Sequence, residues 1–210
     1  MQYSGSNPNV DLIVVGDLTT AIAGREDKAF IRDDGNGNTP KGLRFWAPAG
    51  SVIQAPDLAG LEGPDLLKAV DLALNVMILA HENANTGMAY PGWLMAPRTR
   101  RWLAALKTST GARIYPELDQ GQLKGYAFRA TTQIPWNLGE SGLASEIYFA
   151  DFGDCFIGEN DDMRIDFSGE ATYTDASGKT ISACQRDQTL VRVITHNDCG
   201  PRHPESVAVS

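Results

Sequence analysis

Apolar side chains recur along this chain first with the period of a helix and later with the period of a strand. Val10, Val14, Leu18, Ala21 and Ile22 fall on one stripe of a helix predicted over residues 10–33, with Asn9 placed to cap its first amides. Such a helix would be about 36 Å long. Gly24 in its interior costs about 1 kcal/mol relative to Ala, so packing must hold the helix together. It ends in Asp33-Asp34-Gly35-Asn36-Gly37-Asn38-Thr39-Pro40, where two glycines and a proline forbid continuation. Pro56, Gly60, Gly63 and Pro64 punctuate the next connection. A second amphipathic helix follows from Asp65 to Glu82, its core face made by Leu66, Leu67, Val70, Leu74, Met77 and Ile78. Gly92-Trp93-Leu94-Met95-Ala96 is a short buried strand. Pro97 suits the first position of a third helix, predicted from Pro97 to Ser109 with Gly111 as its terminator.

Beyond that helix the period becomes two. Tyr126, Phe128 and Ala130 alternate with Ala127, Arg129 and Thr131, and Ile147-Tyr148-Phe149 leads to a second strand region from Phe152 to Ile157. Met163, Ile165 and Phe167 alternate with Arg164, Asp166 and Ser168, the pattern of a strand with one wet face. Asp175-Ala176-Ser177-Gly178 is a turn. Thr189 to Thr195 is the last long strand, followed by a Gly200-Pro201 turn and a short apolar strand at the end. Helices come first and strands later without βαβ alternation, which predicts an α+β fold.

Composition narrows the function classes. With 210 residues and 42% hydrophobic content the chain can bury a core, in one domain or two small ones. The net charge of −8 disfavours general adhesion to nucleic acid or to an anionic membrane. Acid is concentrated from Glu140 to Asp175, where ten carboxylates face one base, Arg164, a local net of −9. This predicts one strongly negative surface, either simply solvated or a wall that faces packed DNA without binding it. Cys155, Cys184 and Cys199 have neither C-x-x-C spacing nor a zinc-type histidine partner, which fits a reducing compartment. No apolar stretch reaches the ~18 residues of a membrane span, and the start lacks a secretory pattern. Synthesis in the cytosol is the expectation.

Catalytic and ligand-binding patterns are weak. Gly35 to Pro40 lacks the preceding strand and the third glycine of a dinucleotide loop. Asp34, Asn36 and Asn38 have calcium-loop spacing, but Thr39 and Phe45 stand where an EF-hand needs Gly and Glu. His81-Glu82 has no second histidine four residues on, and Gly139-Glu140-Ser141-Gly142 misses the nucleophile elbow by one position. Asp161 and Asp162 are adjacent, so their side chains diverge and no carboxylate pair for glycoside chemistry can be inferred. His203 is expected to be a hydrogen-bonded turn residue. Around the third helix, Tyr90, Trp93, Arg98, Arg100, Arg101 and Trp102 interleave aromatics with bases, as single-strand nucleic-acid grooves do. The alternatives are that Trp102 and Leu103 pack inward while the arginines are solvated, or that the arginines meet acids of a neighbouring subunit. No catalytic, cofactor-binding or metal residue is predicted.

Several separated segments carry more information together than any one alone. Asp27-Lys28-Ala29-Phe30-Ile31-Arg32-Asp33-Asp34-Gly35-Asn36-Gly37-Asn38-Thr39-Pro40-Lys41-Gly42-Leu43, then Trp93-Leu94-Met95-Ala96-Pro97-Arg98-Thr99 with Trp102, come first. Tyr115-Pro116, Leu123-Lys124-Gly125-Tyr126, Tyr148-Phe149-Ala150-Asp151-Phe152, Arg186-Asp187-Gln188 and Arg202-His203-Pro204-Glu205 follow. In this order, and with the ending from Cys184 to Ser210, they resemble the major capsid proteins of tailed bacteriophages, the family with the Hong Kong 97-like shell fold.

That resemblance implies a structural protein rather than an enzyme. It implies an α+β fold with a long spine helix, an axial domain of helices around a sheet, and a peripheral antiparallel strand region. The peripheral part would take residues 1–40 and 162–197, and the axial part residues 41–161 and 198–210. The implied partners are copies of the chain itself and other phage head proteins, with no cofactor, no specific nucleic-acid binding and no membrane. Its place would be the capsid of a virion, after synthesis in a bacterial host. The match corresponds to the later part of a family member, so a shortened subunit lacking the N-terminal arm and extended loop is expected, monomeric or weakly associating in dilute solution. Self-crosslinking is not expected, because Asp187 stands where some members have the asparagine that bonds to a lysine of that loop. Alternative readings are an encapsulin-like compartment subunit, or a small cytosolic hydrolase or metal-binding enzyme using His81, His196 or His203.

Overall fold

In the computed structural model, which describes residues 8–140 and 142–210 and the side chains of all of these except residues 8–11, 161 and 162, the first helix α1 spans Pro8–Arg32. Asn9 therefore lies within α1 rather than capping it, and its side chain falls outside the described residues. The apolar stripe predicted along α1 is largely unburied. Val14 is exposed, as are Leu12 and Ile13, and among the described side chains of α1 only Ala29 and Ile31 near the far end are buried. A 3.6-residue period marks a face able to be covered; here this chain covers only the last turns.

Gly42 explains how those turns are held. It precedes α2 (Leu43–Trp46), and a Cβ at this position would lie 2.5–2.7 Å from backbone atoms of Ala29, Ile31 and Arg32. Only glycine permits this approach, which brings Leu43 and Ile31 into one core cluster. The loop between Arg32 and Gly42 is a closed turn. Asp34 accepts hydrogen bonds from the Asn36 amide and side chain, and Asp34 and Lys41 form an antiparallel bridge.

Contacts divide the chain into two units, one running to Phe156 and resuming at Cys199–Ser210, the other Ile157–Asp198. The first contains α3 (Gly63–Asn83), α4 (Pro97–Ala105) and a five-stranded sheet. Its strands are β1 (Pro91–Met95), β2 (Gln122–Leu123), β3 (Tyr126–Ala130), β4 (Ile147–Asp151) and β9 (Val207–Val209), in the order β2-β3-β1-β4-β9. β1 pairs in parallel with β3 and antiparallel with β4, while β9 lies antiparallel on β4. The register places Trp93 beside both Phe128 and Phe149, and Phe149 beside Ala208.

Because strand side chains alternate, this sheet has two core faces. Trp93, Met95, Leu123, Phe149 and Ala208 pack with Val70, Leu74 and Met77 of α3 and Leu103 of α4. Tyr148, Ala150, Val207 and Val209 pack with Ile31, Leu43, Ala96 and Ile134. Burial on both faces is the reason Ile147 to Ala150 is a continuous apolar run instead of an alternating one.

Three predicted elements end differently. α4 stops at Ala105 instead of Ser109, because Leu106 is extended and Thr108 forms a turn with Ala112 through its amide and hydroxyl. Residues 152–154 are a turn, so the strand expected from Phe152 starts at Cys155. β8 runs Leu190–Pro201, which places Gly200 and Pro201 at the strand end; the chain turns only at Arg202 to Ser206. Trp46 explains Gly200, since a Cβ there would approach its ring to 3.0 Å.

The second unit is built from β5 (Cys155–Ser168) paired with β8, and a hairpin of β6 (Thr172–Thr174) and β7 (Thr180–Ser182). The hairpin turn is the predicted one. Asp175 accepts from the amides of Ser177 and Lys179 and from the Ser177 hydroxyl, and Gly178 takes φ +82°. Ile181 and Ala183 are buried. Met163 and Phe167 are exposed, so both faces of β5 are wet where a single wet face was expected. Among the described residues no helix is long and apolar enough to cross a membrane.

Candidate functional site

The chain's ending is fastened by one carboxylate. Asp154 sits in the turn between β4 and β5 and accepts hydrogen bonds from the His203 amide at 2.9 Å, from the His203 ring at 3.1 Å and from the Ser206 hydroxyl. Its backbone carbonyl accepts from the Arg202 amide at 2.8 Å. Burial works to raise the Asp154 pKa, but these hydrogen bonds outweigh it and hold the group below its ordinary value. Three residues earlier, Asp151 is buried and accepts from the amides of Ala89, Tyr90 and Gly153 at 2.8–3.0 Å. Two aspartates three apart thus hold the loop ahead of β1 and the turn ahead of β9, fixing both strands that feed the sheet around β4.

A second anchor is Glu146. Its carboxylate pairs with Arg32 of α1 at 2.9 Å and Arg44 of α2 at 3.3 Å, and accepts from the Tyr148 hydroxyl at 2.7 Å. Burial and the neighbouring Glu146 charge push the Tyr148 phenol well above its ordinary range, so it remains a donor. On the opposite face Asp71 of α3 pairs with Lys124 and accepts from Tyr115.

His81 is buried on α3, its ring 5.6 Å from Phe149 in an edge-on arrangement. Neither ring nitrogen has a hydrogen-bond partner of normal geometry among the described residues. Burial lowers its pKa, opposed by Asp151, the Glu205 backbone, Asp154 and Glu82, so the ring is neutral near pH 7. A sealed ring cannot meet a substrate. His203 is the turn residue expected of it, and His196 lies exposed on β8, in the other unit. The structure therefore brings both His81 and His203 under the influence of Asp154 but leaves the one buried and the other hydrogen-bonded. Cys155 is partly buried, which pushes its thiol up to about 11. No cluster of three or more metal-ligating side chains occurs among the described residues. Ser141 and the side chains of Asp161 and Asp162 lie outside them.

A recess lies on the face beside α4. A groove of about 640 Å³ is lined by Leu58, Leu66, Val70, Met77, Trp102 and Leu143, among others, with Arg98 at its edge. Leu103 is fully buried as predicted, whereas Trp102 is 40% exposed and not packed inward. Arg98 lies over the Trp136 ring at 5.2 Å and donates to its carbonyl at 3.4 Å. Sequence reasoning identified the arginines and missed Trp136 and Leu143, which are isolated in loops. It also missed Asp151, Asp154 and Glu146, whose one visible signal was acid placed at both ends of an apolar strand.

What these features share is architecture: carboxylates spent on backbone amides and ion pairs, a sealed histidine and broad exposed surfaces. Comparison with known proteins agrees. Residues 3–210 match the phage capsid family. The major capsid protein of Klebsiella oxytoca phage phiKO2 is 46% identical over 203 residues, covering 96% of this chain and 46% of that protein. The chain thus spans about half the length of the curated relative it matches. Solved structures from Mycobacterium phage Adephagia and from the capsid of an empty GTA particle superpose with TM-scores of 0.68 and 0.63, at 18% and 17% identity. Each covers 98% of this chain, and the chain covers 66% and 67% of them, so the α+β arrangement is the Hong Kong 97-like capsid fold. The match in sequence over nearly every residue and the match in fold converge, and the chain belongs to the phage capsid family.

Proposed function

We propose that this chain is the shell-forming portion of a phage or prophage major capsid protein, a structural subunit that binds copies of itself around DNA and uses no cofactor. The observation that carries this is the 46% identity to a major capsid protein along 96% of the chain. In this reading residues 1–40 and 162–197 form the peripheral part, and residues 41–161 with 198–210 form the axial part that meets its copies around symmetry axes. Within the acidic stretch from Glu140 to Asp175, Glu146, Asp151 and Asp154 are held in internal contacts, so the part that faces the packed genome and keeps it unbound through repulsion falls to exposed acids such as Glu140 and Glu170. Other head proteins are further partners, and the site of action is the virion. No finding favours the compartment or hydrolase alternatives.

Sedimentation velocity and negative-stain microscopy from micromolar to about 1 mM chain test the central claim. Rings or shell fragments that grow with concentration support it; a strict monomer throughout sinks it for this chain. Denaturing electrophoresis of the same samples is expected to give a single band, since Asp187 offers no side-chain amide for an isopeptide bond.

A further inference from the structure

The stretch from Asn83 to Pro116 contains no acid and five bases, Arg98, Arg100, Arg101, Lys107 and Arg113, in a chain whose net charge is −8. Of these only Arg113 has an acidic partner, Asp119, among the described residues. Arg98 of α4 lines the apolar groove, where Trp102 is 40% and Leu143 63% exposed, and holds the 54% exposed ring of Trp136, while Arg100 and Arg101 lie on the same helix. Tryptophan and arginine around an apolar recess are the composition of the energetic centre of protein interfaces.

The same chain carries the matching surface. Along β5, the exposed apolar side chains Ile157, Met163 and Phe167 are interspersed with the acids Glu159 and Asp166, in a stretch that also contains Asp161 and Asp162. An acidic strand with exposed aliphatic and aromatic groups complements a basic face with an apolar groove in both charge and hydrophobicity. We propose that the α4 face docks strand β5 of a second copy. The two surfaces are different, so the contact is head-to-tail, the type that closes into rings when the rotation permits. A polyanionic nucleic acid matches only the arginines, leaves the groove unfilled and is repelled by the rest of the chain.

This inference rests on the self-association proposed above, and the test separates the two. The 210-residue chain, the variant Arg98→Glu/Arg101→Glu, the variant Glu159→Arg/Asp166→Arg and an equimolar mixture of the variants are compared by sedimentation equilibrium at about 50 and 500 mM salt. Circular dichroism selects variants that remain folded, and Arg101→Glu alone serves if the double variant does not. Each variant is expected to associate at least about tenfold more weakly than the parent at low salt, and the mixture to recover most of the loss, because reversed charges again meet opposite ones. Parent association that neither arginine reversal nor salt alters overturns this contact and leaves self-association standing. A parent that stays monomeric to about 1 mM overturns both. Arginine variants that lose binding to a single-stranded oligonucleotide while associating like the parent overturn it in favour of a nucleic-acid surface.

Discussion

The sheet-bearing unit and the ribbon unit use apolar residues in opposite ways. Around β4 the large side chains Trp93, Tyr148 and Phe149 are at most 1% exposed and touch a helix layer on either side of the sheet. Along β5, Ile157, Met163 and Phe167 are 61%, 42% and 58% exposed on a strand with one partner strand, β8. A five-stranded sheet covered on both faces can be stable by itself, whereas a two-stranded pairing is marginal in water. The first unit therefore carries the stability of the monomer, and the second presents apolar surface that something outside the monomer must cover if it is to be buried.

Truncations in the two units should separate them most widely. Phe149→Ala removes a ring that contacts His81, Trp93 and Tyr126, and is expected to cost about 3–5 kcal/mol in urea unfolding. A cost under about 1 kcal/mol would break the comparison, because it would mean the sheet unit is not the stable one. Gly42→Ala comes next, at about 1–3 kcal/mol or more, since the added methyl meets backbone that cannot rotate away. Thermal unfolding reads this, and the loss should appear with the end of α1 as hydrogen exchange accelerates there.

Acid should act on the sheet unit through His81. Its folded pKa lies below the ordinary 6.5, so the unfolded chain binds the extra proton first and stability must fall as pH drops below about 6.5, levelling only below the folded pKa. One proton contributes at most about 1.4 kcal/mol per pH unit. His81→Phe is expected to flatten the slope of unfolding free energy between pH 6.5 and 5, and an unchanged slope would assign it elsewhere. Asp154 has the same sign, but its pKa is below 3.8, so its contribution is lost only at more acid pH. The smallest effect is expected for Phe167→Ser on the ribbon, within about 0.5 kcal/mol for the isolated monomer. The same substitution should weaken association measurably if β5 is an interface strand.

Legibility followed the range of the interaction involved. α3 was readable to within two residues at its start because its inward face repeats through Val70, Leu74 and Met77, and the Asp175 turn because Asp, Ser and Gly act locally. α1 was readable as a helix, yet its stripe did not predict burial. The end of α4 was missed because Thr108 closes a turn with a residue four positions ahead, which competes with the helix without disturbing its pattern. Trp102 was misplaced because one turn of helix offers two plausible inward directions, and only the layer above decides between them.

By itself the sequence determined the α+β class, the order of helices and strands, the acidic stretch, and the family through the ordered segments from Asp27 to Glu205. All of these are properties of residues close together or of residue order, which periodicity and motif carry directly. Tertiary structure alone decided that Asp154 holds the ending, that Glu146 gathers Arg32 and Arg44, that His81 is sealed, and that Arg98, Trp102 and Leu143 border one groove. Each joins residues that are dozens of positions apart, and such pairings arise only when the sheet brings their strands and helices together. The ending from Cys184 to Ser210 shows both levels, legible as strand, turn and strand, with the turn displaced beyond Pro201 because Trp46 packs on Gly200 and Asp154 captures His203 and Ser206.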